Sequence, residues 1–295
     1  MTTTADRPDQ ARPDQGRPDQ GRPADGRPVD PPAGAPADTH QHYDLDPEIF
    51  GLFLDPMRKY SSGRYLTGTE TLEQAQTTKL RFVAERLGLR GGETLLDVGC
   101  GWGALILFMA REFGCRTVGI SPAGRQHSYI AGRATELGVA DLVSTVQGHF
   151  ERTELPVRGV DAVTMLGSIV HMPDLDGVLR RVRSLLRRDG TFYVSESCFR
   201  NAATQAAFEG RASSAFVSRE IFGWGSMRPL SVLVRGVEDA GFSVVGVDDL
   251  TDDYRRTIDD WLANVAARGD ELDLIPPGPA APQTPNHEVA NPASA

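Results

Sequence analysis

The chain's 295 residues, 40% hydrophobic and 24% charged, suffice for one sizeable α/β domain or two small ones. A formal charge of −9 and a sequence pI of about 5.2 exclude a nucleic-acid surface, for which Lys and Arg must cluster to displace counterions. No run reaches the ~18 apolar residues of a membrane span, and "MTTTADRPDQ" has no apolar signal-peptide segment, so a cytoplasmic protein without stable membrane insertion is expected.

Residues 1–38 carry RPDQ at 7–10, 12–15 and 17–20, then RPAD and RPVD, with nothing apolar enough to seed a core. They are expected to be disordered. One domain over 39–270 follows, with a cap over 39–90, and the Pro- and Ala-rich 271–295 is again expected to be unstructured. "TLEQAQTTKLRFVAERLGL" (71–89) has apolar residues at helical spacing and is stopped by Gly91 and Gly92. "ETLLDV" (93–98) reads as a buried parallel strand, "GALILFMAREF" (103–113) as a helix, "RTVGIS" (116–121) as a strand and "GRQHSYIAGRATELG" (124–138) as a helix. "VSTVQG" (143–148) and "VDAVTML" (160–166) are strands, "DLDGVLRRVRSLL" (174–186) a helix and "GTFYVSES" (190–197) a strand. This alternation predicts an α/β fold, a parallel sheet with helices on both faces. Cys100, Cys115 and Cys198 are an odd count without zinc-ligand spacing, which suits a reducing cytosol and predicts no metal site.

The strongest motif is "LLDVGCGWG" (95–103), in which Asp97 ends a strand and Gly99, Gly101 and Gly103 turn into a helix. Glycines let the backbone turn and a ligand approach without a Cβ in the way. A dinucleotide-dependent oxidoreductase would carry G-x-G-x-x-G, whereas this loop is acid-x-G-x-G-x-G. That form resembles motif I of the class I S-adenosylmethionine-dependent methyltransferases. The flanking HYDL (42–45), FLDP (53–56), YSSGRY (60–65) and TLEQAQ (71–76) resemble the cyclopropane-fatty-acid and mycolic-acid synthase group. The likeness continues through VGIS (118–121) and Gln126 and more weakly to YRRTIDDW (254–261).

The resemblance implies a Rossmann-like class I methyltransferase sheet with an N-terminal helical cap and a lid insertion at about 200–230. It implies S-adenosylmethionine as cofactor, with Tyr60, Ser61, Asp97, Gly99, Gly101 and Gly103 at its methionine end. Ser121 and Gln126 would serve the ribose, where Gln can accept and donate at once. Ser121 also reads as a helix N-cap before Pro122, and both roles can hold together. His149 and Phe150, with Glu151 beyond, lie where the family holds adenine, although an ordinary loop reads the same way.

On the acceptor side the family is associated with a bicarbonate held by Cys, Glu, His and Tyr. The positions matching the first three are Ser62, Val170 and Ser195, and only Tyr254 remains. Losing a carboxylate and an imidazole argues against cyclopropane formation on a lipid chain. His171, just past the fourth strand of the alternating series, sits at the carboxyl edge where open α/β sheets bind ligands, and is the candidate base with Tyr254. It reads equally as a residue that hydrogen-bonds the loop beneath the cofactor. Val170, Phe222, Trp224, Met227 and Arg228 are the candidate acceptor contacts, Arg228 toward an anion; a core-anchoring loop is the alternative for "FGWGSMRP" (222–229).

The expectation is therefore O- or N-methylation of a small, mostly apolar metabolite in specialised metabolism such as antibiotic biosynthesis. C-methylation of an alkene or prenyl chain and a non-catalytic cofactor-binding scaffold are the alternatives. No nucleic-acid partner is expected, and homo-oligomerisation is left open.

Overall fold

Short apolar runs alternating with helices ended by glycine build one seven-stranded sheet in the computed structural model, which describes residues 2–5, 47–211, 214 and 227–272. The strands are β1 (Thr2–Ala5), β2 (Thr94–Val98), β3 (Arg116–Ser121), β4 (Val143–Gln147), β5 (Val160–Leu166) and β6 (Leu186–Ser195). β7 (Cys198–Phe199) and β8 (Arg228–Pro229) form a separate two-stranded ribbon, and β9 (Phe242–Gly246) completes the main sheet. Their order is β4-β3-β2-β5-β6-β1-β9. β4 through β6 pair in parallel, and β1 runs antiparallel to both of its neighbours.

The helices are α1 (Pro47–Phe53), α2 (Leu72–Leu87), α3 (Ala104–Phe113), α4 (Gly124–Glu136), α5 (Leu175–Leu185), α6 (Ala202–Glu209), α7 (Leu230–Asp239), α8 (Thr251–Ala267) and α9 (Gly269–Leu272). α2, α3 and α4 bury Leu80, Val83, Leu105, Met109 and Ile130 against one face of the sheet. α5 and α7 cover the other with Leu175, Val178, Leu179, Val182, Leu233 and Val237. On α5 the first four of these recur at i, i+3, i+4 and i+7, the spacing that faces one stripe inward. Among the described residues no helix is long and apolar enough to cross a membrane.

One chain end differs from expectation in an instructive way. Residues 2–5 lie within the segment read as disordered, yet they form β1 between β6 and β9. The cause is local: three threonines favour extended backbone, and both edges of β1 are paired. The remaining residues of that segment, and the tail beyond 272, lie outside the described residues. So do Phe222 and Trp224 of the expected lid, whose described parts are α6, β7 and β8.

α2 begins with a capping box: the Gln74 N–H donates to Thr71 Oγ1 at 3.3 Å and the Thr71 N–H donates to Gln74 Oε1 at 3.0 Å. It ends at Gly88, whose φ of 68° places it in the left-handed region. Thr71→Ala is expected to cost about 1 kcal/mol of stability, read as a lower urea midpoint with an unchanged slope.

Candidate active site

Strand order reverses at β2, whose neighbours β3 and β5 lead the chain to opposite sides and leave a crevice at their carboxyl ends. The turn leaving β2 closes this crevice from below. The Gly99 and Cys100 N–H groups both donate to the Ile120 carbonyl, at 2.9 and 3.2 Å, which ties the turn to β3. Gly99 has φ 80°, and a Cβ there would overlap the Ser168 side chain. Gly101 has φ 54° and nothing within 4 Å of where its Cβ would be. One glycine is thus needed for packing against the exit of β5, and the other leaves open space.

The cavity above this turn draws on five segments. Lys59 and Tyr60 come from the cap, Gly99 to Trp102 from the turn, and Ser121 and Gln126 from beyond β3. His149, Phe150 and Glu151 follow β4, and Gly167, Ser168, His171 and Met172 follow β5. The residues expected at the cofactor's two ends are brought together, with three exceptions. Ser61 is built into the wall, its hydroxyl accepting from Lys79 Nζ at 3.2 Å and its carbonyl from Gln76 Nε2 at 2.7 Å. Gly103 is the N-cap of α3 and faces Ile130 rather than the cavity. Asp97 lies beneath the surface.

Asp97 is 1% exposed and Lys59 7%. Asp97 Oδ1 accepts from Thr164 Oγ1 at 2.7 Å, whereas Oδ2 is buried with no hydrogen-bond partner. Burial raises the Asp97 carboxyl pKa, and Lys59 pulls it back more than any other group. Burial lowers the Lys59 ammonium, and Asp97 is the first of the charges opposing that shift. Lys79 is driven well below its ordinary value by burial and by Lys59. Lys59 thus lines one end of the cavity, and Asp97 lies buried behind it as the first of the charges that favour its ammonium form. Sequence reasoning missed Lys59; the signal was a lysine directly before the Tyr60-Ser61 pair.

At the opposite end Ser121 Oγ donates to Gln126 Oε1 at 2.5 Å and accepts from the Ala123 N–H at 3.3 Å. The N-cap of α4 is Ala123, not Ser121, because the chain runs two residues further before turning helical. Phe150 is buried in the core, with the Arg181 guanidinium 5.0 Å from its ring centroid.

The aromatic wall joins both ends of the domain. Tyr60 lies 5.2 Å from Trp261, and Phe50 lies 5.3 Å from Trp102. α8 is fastened beneath this wall: Thr257 Oγ1 accepts from the Gly63 N–H at 2.9 Å, Asp253 from the Tyr65 N–H at 2.6 Å, and Asp260 from the Tyr65 hydroxyl at 2.6 Å. That explains the spacing of YRRTIDDW, since Tyr254, Thr257 and Trp261 repeat at helical intervals along one side of α8. Burial pushes the Tyr254 phenol up to about 12, which keeps it a proton donor.

On the remaining side, His171 lies in the 3₁₀ turn Ile169–His171 and reaches the cavity. Val170 is buried, 4% exposed. Its N–H donates to Glu196 Oε2 at 3.1 Å, and the Ser197 N–H donates to Oε1 at 2.9 Å. Arg228 was expected to meet an acceptor anion; its guanidinium instead donates to the carbonyls of Ile169, Met172 and Pro173 at 3.4, 2.9 and 3.2 Å. The physical reason is that the turn exposes carbonyls toward β8: the Met172 carbonyl gains its donor from Arg228, while those of Ile169 and Pro173 accept from it in addition to the Met172 and Leu175 N–H groups. Met227 is half-buried beside it. Ser62 Oγ donates to the Gly63 carbonyl at 2.8 Å, and the Ser195 carbonyl accepts from the Gly167 N–H at 2.8 Å.

Comparison with known proteins follows from this geometry. Residues 34–276 match the family model for mycolic acid cyclopropane synthetase. The chain is 31% identical over 228 residues to sphingolipid C9-methyltransferase B of Emericella nidulans, covering 76% of this chain and 44% of that protein. It is 28% identical over 249 residues to methoxy mycolic acid synthase MmaA3 of Mycobacterium tuberculosis, covering 79% and 82%. The chain spans about half the length of the sphingolipid C9-methyltransferases it matches. Its fold superposes on mycolic acid cyclopropane synthase CmaA1, solved with SAH and CTAB, at a TM-score of 0.72 and 26% identity over 80% of this chain and 85% of that one.

Proposed function

The chain belongs to the mycolic acid cyclopropane synthetase family of S-adenosylmethionine-dependent methyltransferases, and from that premise we propose that it methylates an oxygen or nitrogen of a small, mostly apolar acceptor in specialised metabolism. The cavity residues fit the cofactor. Its amino-acid end is a zwitterion, and Lys59, which lines the cavity with Asp97 buried behind it, offers a cation for the carboxylate of that end. Gly101 leaves room for it, Ser121 and Gln126 offer a donor–acceptor pair for the ribose diol, and His149, Phe150 and Glu151 border the place for the base. When bound, the cofactor supplies a methyl carbon already activated by a sulfonium.

What this chain adds is alignment, exclusion of water and disposal of a proton. Tyr60, half-exposed beside Trp261, borders the cavity on the side where the acceptor would close it off from water. In this reading His171, which lines the cavity, orients the acceptor's nucleophile, and Tyr254, 6.1 Å from Trp261 between ring centroids, donates a hydrogen bond to it. The observation that carries the heteroatom reading is Val170, a buried apolar side chain at the position that the family resemblance matches to the bicarbonate-binding carboxylate. Ser62 is likewise turned to its own neighbour's carbonyl. An oxygen or nitrogen acceptor requires one proton acceptor and no cation stabilisation, which suits what remains.

Incubation with methyl-labelled S-adenosylmethionine and a panel of alcohols, phenols, secondary amines and prenylated alkenes tests this. The expected product carries a new O–CH3 or N–CH3 group; a new C–CH3 bond would overturn the reading. C-methylation is the second reading, favoured by the relatives named sphingolipid C9-methyltransferases.

A further inference from the structure

The carboxylate missing from position 170 has a counterpart 26 residues further along the chain. Glu196 follows the last residue of β6, and its Oε2 accepts from the backbone N–H of Val170 itself, while Oε1 accepts from Ser197. The carboxyl is thus pinned by two backbone donors at the carboxyl edge of the sheet, one residue from His171, which lines the cavity. It is not fully sealed: Glu196 retains partial exposure. We propose that Glu196 is the general base of the methyl transfer, a carboxylate delivered from β6 to the position that Val170 leaves without one.

The inference rests on methyl transfer as read above. In the step it serves, the acceptor's oxygen or nitrogen forms the new bond to the methyl carbon, and the carbon–sulfur bond breaks with its electron pair going to sulfur. The proton of the acceptor's O–H or N–H passes to the Glu196 carboxylate and from there to water. The groups facing Glu196 come from every neighbouring element. They are the N–H of Val170 from the turn after β5, Cys198 of β7, Arg228 of β8 and Tyr254 of α8. Burial is the largest influence on the carboxyl and pushes it up to about 7, with the Ser197 and Val170 N–H groups and Arg228 pulling the other way. A base poised near neutrality combines a usable ionised fraction with driving force for proton transfer. Tyr254, held protonated, and Arg228, held on carbonyls, are both unsuited to the task.

Two measurements on the full chain test this. In the first, methyl transfer to whichever panel acceptor gives product is followed by single turnover against pH. The wild-type rate is expected to rise with pH through about 7, because the base works only when ionised. Glu196→Gln should be at least about 100-fold slower with that inflection gone, and Glu196→Asp should restore part of the rate. S-adenosylhomocysteine affinity should be unchanged in both variants, and the urea midpoint of Glu196→Gln at pH 8 should be higher than that of the wild type. The sign follows from the raised carboxyl: the folded state holds this proton to about 7 against an ordinary 4.5, so stability is lost as pH rises through that window, and Gln removes the loss. Slowing by collapse of the fold would lower the midpoint instead.

In the second, independent of any acceptor, infrared difference spectra of the S-adenosylhomocysteine complex should show a protonated carboxyl that titrates near 7 and is absent from Glu196→Gln. A Glu196 ionised throughout that range, or a Glu196→Gln enzyme that keeps the wild-type rate or its pH inflection, overturns the proposal. A C-methylated product would sink the heteroatom reading while leaving the base test standing, so the two failures are distinguishable.

Discussion

Lys59→Met is expected to weaken S-adenosylhomocysteine binding by about 100-fold while leaving the affinity for 5′-methylthioadenosine, which has no amino-acid end, unchanged. The magnitude is that of removing one partner from a buried charge–charge contact, about 3 kcal/mol. The selectivity follows from position: Lys59 lines the cavity beside the glycine turn, with Asp97 buried behind it, while Ser121 and Gln126 line the part beyond β3. Methionine fills much of the volume of the lysine stem, but the change also removes the group that most favours the Asp97 carboxylate, so the urea midpoint is measured alongside and a cooperative transition is the condition for reading the affinities. Calorimetry with both ligands decides the matter. Equal losses for the two would mean that Lys59 shapes the whole cavity rather than reading a carboxylate.

Gly99→Ala is expected to cost about 2–5 kcal/mol of stability, from the left-handed backbone it would have to adopt and from overlap of its Cβ with Ser168. Relief of that overlap would require the β2 and β5 exits to move apart, because the Ser168 hydroxyl is itself fixed to the Val98 carbonyl at 2.6 Å. Gly101→Ala is the control. It shares the positive φ but meets nothing within 4 Å, so its stability loss should be about 1 kcal/mol. Its Cβ would instead project into the cavity and weaken cofactor binding. Urea unfolding and ligand titration on the two variants should therefore separate; parallel behaviour would remove the distinction drawn between the two glycines.

Much of this arrangement was legible from one dimension. The glycine turn and the strands and helices that flank it are local patterns, each set by periodicity or by a backbone that only glycine permits, whereas Ser121 and Gln126 came from the family resemblance. Their boundaries in the structure fall within a few residues of the expected ones. What stayed hidden depends on tertiary approach. Arg228 carries the charge expected of an anion contact, but which carbonyls lie in front of it is fixed only when β8 docks beside the 169–173 turn. Val170 read as a lost carboxylate because the approach of Glu196, from the far end of β6, to the Val170 N–H is made only in the fold, and side-chain identity at one position says nothing about a neighbour's reach. β1 was hidden for a related reason: a threonine run is extended in any case, and only the gap between β6 and β9 makes it a strand.

The fastening of the cap to α8 has a consequence for biosynthesis. Tyr60, Gly63 and Tyr65 are among the earlier described residues to leave the ribosome, while Asp253, Thr257, Asp260 and Trp261, to which they are held, are among the later ones. The cofactor chamber therefore has no finished wall until nearly all of the domain has been translated. A nascent or truncated chain can form its sheet and still expose Trp102 and Phe50, making it a substrate for chaperones or proteases. Cofactor capture then becomes a readout that synthesis ran through α8.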